Sequence, residues 1–98
     1  MQHISVAQLK KKLDDGEDIQ LVDVREPWEH ELFNIGGLLI PVGSLMGYME
    51  QISRNKPVIF FCRKGIRGQI AIQRLEQKMQ TDNFFNLQGG MEAWDKDS

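Results

Sequence analysis

The chain holds a single cysteine, Cys62, and the residues after it read Arg63-Lys64-Gly65-Ile66-Arg67-Gly68. Three cations follow the thiol closely and no acid lies among them. By residue type alone a lone cysteine is a small buried hydrophobe. Position argues otherwise. The residues before it, Val58-Ile59-Phe60-Phe61, form a continuous apolar run that reads as a strand covered on both faces, so Cys62 stands at a strand's carboxyl end. Ligands of open α/β sheets gather beyond those ends. Cations and the start of a helix both stabilise a thiolate. Gly65 and Gly68 let the backbone curl and turn successive N–H groups inward, which makes an anion-binding nest. Such a cradle suits a persulfide anion on Cys62 or the oxyanion part of a donor.

Other chemistries are narrowed by composition. One cysteine forms no internal disulfide, and with two scattered histidines it supplies no metal site. No metal and no cofactor are therefore expected. A net charge of -2 gives no basic field for nucleic acid. No apolar run reaches the length of a membrane span, and the N-terminus lacks a basic segment followed by an apolar one. A cytoplasmic monomer without membrane contact is expected. Ninety-eight residues suffice for one domain, 1–98.

Elements that must hold the cysteine alternate along the chain. His3-Ile4 reads as a short leading strand. Ser5 and Gln8 form a capping-box pattern ahead of a helix with Val6, Leu9 and Leu13 on one face, ending near Gly16. Residues 20–24 read as a strand, and Pro27 opens a short helical turn from Trp28 to Phe33. Residues 38–41 make a brief strand. Ser44 is expected to cap a helix with Leu45, Tyr48, Met49 and Ile52 on its buried face. After the cysteine loop, a helix is predicted from Gln69 to Gln80 with Ala71, Ile72, Leu75 and Met79 inward. A strand at 84–87 and a short helix carrying Met91 and Trp94 complete the pattern. This alternation argues for a parallel sheet with helices on both faces. Asp23 and Arg25 end the second strand near the same sheet edge; they read as a supporting ion pair, because charges near a core must be paired. Trp28, Phe33 and Trp94 read as packing residues, and His30 as a surface residue.

Three segments together resemble the rhodaneses, the thiosulfate sulfurtransferases. Cys62-Arg63-Lys64-Gly65-Ile66-Arg67 is similar to the family's active-site loop. Leu21-Val22-Asp23-Val24-Arg25-Glu26 through Ile35-Gly36-Gly37 and Ile40-Pro41 resembles its N-terminal signature, and Leu87 to Trp94 its C-terminal one. Asn34 departs from the family's frequent histidine, and Gly68 replaces another small residue such as serine. The resemblance implies a three-layer α/β/α domain around a five-stranded parallel sheet. It implies that Cys62 accepts sulfane sulfur and that the backbone N–H groups of Arg63, Lys64, Gly65, Ile66, Arg67 and Gly68 stabilise the persulfide. Arg67, then Arg63 and Lys64, would attract an anionic donor. The implied partners are a small sulfur donor and acceptor, or a sulfur-relay protein.

Rival readings remain. Cell-cycle phosphatases of the same fold close a longer ring between cysteine and arginine than the four residues that separate Cys62 from Arg67. A phosphatase is thus less favoured by loop size, and an arsenate reductase by the lack of a second cysteine to resolve the reaction internally. A non-catalytic rhodanese-like binding module is disfavoured by the retained cysteine and cations.

Overall fold

The computed structural model describes residues 1–97. Five strands form one sheet in the order β1-β5-β4-β2-β3, every neighbouring pair parallel. The strands are β1 (Gln2–Ile4), β2 (Gln20–Asp23), β3 (Leu38–Leu39), β4 (Val58–Phe61) and β5 (Phe84–Leu87). The helices are α1 (Val6–Asp14), α2 (Pro27–Leu32), α3 (Ile66–Met79) and α4 (Gly90–Lys96), with a 3₁₀ helix at Val42–Gln51. The expected three-layer arrangement is therefore present.

β4 lies at the sheet centre, and its alternation explains its unbroken apolar sequence. Val58 and Phe60 enter one core with Ile72, Leu75 and Phe84, while Ile59 and Phe61 enter the other with Leu9, Leu87 and Met91. All four β4 side chains are fully buried. α1 begins as predicted: the Ser5 hydroxyl accepts from the Gln8 N–H (3.1 Å) and the Gln8 amide oxygen accepts from the Ser5 N–H (2.9 Å).

Three local expectations need correction. The segment after Pro41 is a 3₁₀ helix, not an α-helix, and Ser44 lies inside it without capping by its side chain. Gly43 and Gly47 weaken α-helix formation there, and the tighter 3₁₀ repeat brings Leu45 inward while Tyr48 stays exposed. Leu13, near the end of α1, is exposed rather than part of the buried face. α3 starts at Ile66, three residues earlier than Gln69, because Gly65 adopts φ +99° and turns the chain straight into the helix. Arg67 and Gly68 consequently belong to the helix's first turn instead of a loop.

Candidate active site

Cys62 follows the last residue of β4 and is buried. Its Sγ accepts from two backbone N–H groups, those of Gly65 (3.1 Å) and Gly68 (3.4 Å). Both donors lie at the start of α3, where N–H groups have no partner within the helix. They favour negative charge at the sulfur position. A cavity of about 160 Å³ opens at Cys62, lined by Arg63, Lys64, Ile66 and Arg67. The fold thus brings every residue of the predicted loop to one place: Gly65 and Gly68 as donors, the other four as walls.

The opposite side of the turn is held by α4. The Met91 N–H donates to the Cys62 carbonyl (2.8 Å) and the Glu92 N–H to the Arg63 carbonyl (3.0 Å). This close approach requires glycine at position 90. A Cβ there would lie 2.2 Å from the Cys62 carbonyl oxygen, and Gly90 has φ +57°. Gly68 is equally enclosed: a Cβ would lie 2.2 Å from Oδ1 of the buried Asn86 on β5. Nothing local in the sequence of β5 marks Asn86 as lying beneath the first turn of α3.

Two of the three cations are already paired with carboxylates. Arg67 donates through both terminal nitrogens to the Glu29 carboxylate, at 2.7 and 2.9 Å. Arg63 pairs with Glu92 at 3.2 Å. Lys64 is exposed and has no carboxylate partner among the described residues. Arg67 therefore reaches the cysteine cavity with its fork turned to α2. Hydrogen bonding from Arg67 lowers the Glu29 pKa to about 2 from 4.5, although burial opposes the shift. A depressed carboxyl pKa stabilises the fold fully above pH 4.5, and this contribution is lost as pH falls towards 2. Acid titration followed by fluorescence of Trp28, next to Glu29 on α2, is expected to show a transition in that window. In Glu29→Gln the transition is expected to vanish; a titration identical to wild type would remove the pair as α2's acid-sensitive tether.

Asp23 and Arg25 form a buried ion pair. Arg25 donates from Nε to Asp23 Oδ1 (2.9 Å) and from a terminal nitrogen to Oδ2 (2.8 Å). The same guanidinium donates to the Phe33 carbonyl (2.6 Å) and lies 5.7 Å from the Phe61 ring centre. His30 is not a bystander: its Nδ1 lies 2.8 Å from Asp23 Oδ2. Asn34 satisfies its own turn, its Oδ1 accepting from the Gly36 N–H (2.9 Å). Trp94 packs partly buried against the α1 side of the sheet, but Trp28 and Phe33 are 62% and 50% exposed rather than packed.

The sequence matches the rhodanese-like domain family over residues 5–97. The chain belongs to that family. Among curated relatives of this rhodanese-like domain, YtwF of Bacillus subtilis is 33% identical over 96 residues, which is 97% of this chain and 91% of YtwF. A protein of Allochromatium vinosum named sulfurtransferase is 34% identical over 87 residues, 88% of this chain and 80% of its own. Some relatives are much longer: the chain spans 22% of an adenylyltransferase and sulfurtransferase from Drosophila grimshawi, at 29% identity over 95% of this chain. A rhodanese-like domain structure from Staphylococcus aureus superposes with a TM-score of 0.86 at 28% identity, over 96% of this chain and 91% of that one. No helix among the described residues is long and apolar enough to cross a membrane.

Proposed function

We propose that this rhodanese-like domain is a sulfurtransferase that carries sulfane sulfur as a persulfide on Cys62. The observation that carries the reading is the pair of N–H donors aimed at Sγ from the start of α3, inside a small cavity. The names of the relatives support the same class. In the first half-reaction the Cys62 thiolate attacks the outer sulfur of thiosulfate. The sulfur–sulfur bond of the donor breaks and sulfite leaves with the bonding pair. In the second, a thiophilic acceptor attacks the outer persulfide sulfur, and the electron pair of the broken bond returns to Cys62 Sγ. The cradle stabilises the persulfide anion between the two steps. Ping-pong kinetics follow from the covalent intermediate.

The test is intact-protein mass. Incubation with thiosulfate is expected to add the mass of one sulfur atom, and cyanide to remove it. Absence of the adduct with every sulfane donor tried, together with absent turnover, would defeat the reading. The phosphatase alternative is disfavoured by Arg67, whose guanidinium is occupied by Glu29 and offers no open fork to a phosphoryl group. Negligible hydrolysis of a small aryl phosphate is expected.

A further inference from the structure

α2 is amphipathic in the reverse sense. None of its residues is buried. Glu29 and His30 face the body of the protein, where Glu29 grips Arg67 and His30 meets Asp23, while Glu31 stays exposed. Its apolar side chains face solvent: Trp28 is 62% exposed, Leu32 78%, and Phe33 just after the helix 50%. An exposed apolar cluster of this kind marks an interaction surface. These three residues line an open cavity of about 320 Å³ with Met91, Glu92 and Asp95. Arg63 lines both this cavity and the smaller one at Cys62, so the two adjoin. Ile66, in the wall of the cavity at Cys62, is 63% exposed. The apolar surface therefore flanks the mouth through which sulfur would pass.

Resting on the sulfurtransferase reading, we infer that the Trp28–Leu32–Phe33 face docks a polypeptide acceptor that presents a thiol to Cys62 and has apolar and basic residues beside that thiol. A small thiol would fill only the cavity at Cys62; an extended chain engages both. Charge selects its chemistry. Arg25, Arg63 and Arg67 each face a carboxylate already, whereas Asp95 in the cavity wall, and the exposed Glu26 and Glu31 at the start of α2 and on it, have no cationic partner among the described residues. Lys64 is the one unpaired cation at this mouth among the described residues. The face is acidic on balance, which disfavours an anionic membrane and a second copy of the same face. In the transfer the acceptor thiolate bonds to the outer persulfide sulfur, the Sγ–S bond breaks, and its electron pair stays on Cys62. The acceptor leaves as a persulfide, and no oxidant or reductant is consumed.

The probe is a short synthetic peptide with one cysteine between leucine and lysine residues. Controls replace leucine by serine or lysine by glutamate, and glutathione serves as an anionic thiol. Persulfide formation is verified first by mass. Discharge to the apolar basic peptide is expected to be about tenfold faster than to either control, after correction for thiolate fraction. Trp28→Ser with Leu32→Ser is expected to erase that advantage while leaving melting temperature and thiosulfate-to-cyanide turnover unchanged. Binding of the cysteine-to-serine peptide, read by calorimetry on the unloaded protein, tests docking even where no persulfide forms. Loading without any rate advantage and without peptide binding would overturn the docking proposal alone; failure to load would overturn the carrier reading instead. Concentration-dependent dimerisation, or binding to anionic vesicles, that the double variant abolishes would also overturn it by assigning the face to a different occupant.

Discussion

Replacing Cys62 by serine is expected to abolish sulfur transfer outright while leaving the domain folded. The hydroxyl occupies nearly the same space and accepts the same N–H groups of Gly65 and Gly68, so the turn keeps its partners. An alkoxide is far less accessible than a thiolate at neutral pH, and oxygen cannot form the persulfide. No other residue substitutes, since the sequence contains no second cysteine. Burial of a hydroxyl in place of a thiol is expected to change stability by no more than about 1–2 kcal/mol. The competing view treats Cys62 as a core hydrophobe, for it is only 1% exposed and borders the α3-side core. That view expects a stability change with no bearing on turnover. Thiosulfate-to-cyanide turnover and thermal melting, measured on the same preparation with Cys62→Ala as a second variant, separate the two. Folded serine protein that still turns over would exclude Cys62 as the nucleophile.

Gly90→Ala is expected to give the largest loss of any single methyl addition. The three atoms its Cβ would approach most closely are all backbone: the Cys62 carbonyl oxygen at 2.2 Å and the Arg63 carbonyl carbon and oxygen at 2.7 Å. Backbone atoms cannot swing aside as a flexible side chain does. Alanine is also disfavoured at φ +57°. Together these are expected to destabilise the fold by about 3 kcal/mol or more. Relief requires α4 to move away from the cysteine turn, breaking the Met91-to-Cys62 and Glu92-to-Arg63 hydrogen bonds. The turn would then lose the brace opposite its Gly65 and Gly68 donors, and sulfur loading is expected to fall as well. Gly47→Ala is the control, since a Cβ there meets nothing within 4 Å. Urea unfolding and rate of persulfide formation report the two effects. Wild-type values for Gly90→Ala would mean that α4 does not constrain the turn.

Much of this molecule was legible along the chain. β4 announced itself because four apolar residues in succession, set between Pro57 and a polar loop, suit a short strand covered on both sides, and Val58 to Phe61 indeed feed two cores. The Ser5 capping box was legible for the same local reason: its partners are three residues apart. The cysteine's place at a strand end, followed by glycines and cations, was local too. What sequence by itself determined was the alternation of elements, the single thiol and the glycines that let the chain turn around it. Tertiary structure alone decided where the charges go. Arg67 looked like an anion trap because its sequence neighbours hold no acid, yet Glu29 reaches it from 38 residues away. His30 looked solitary, yet the return of α2 across the sheet edge sets it on Asp23. Trp28 and Phe33 looked like packing residues by type, yet those same polar contacts turn α2's apolar side outward. The physical reason is range. Capping, alternation and turns act over a few residues, whereas the pairing of a charge and the facing of a short helix depend on what the rest of the chain brings alongside.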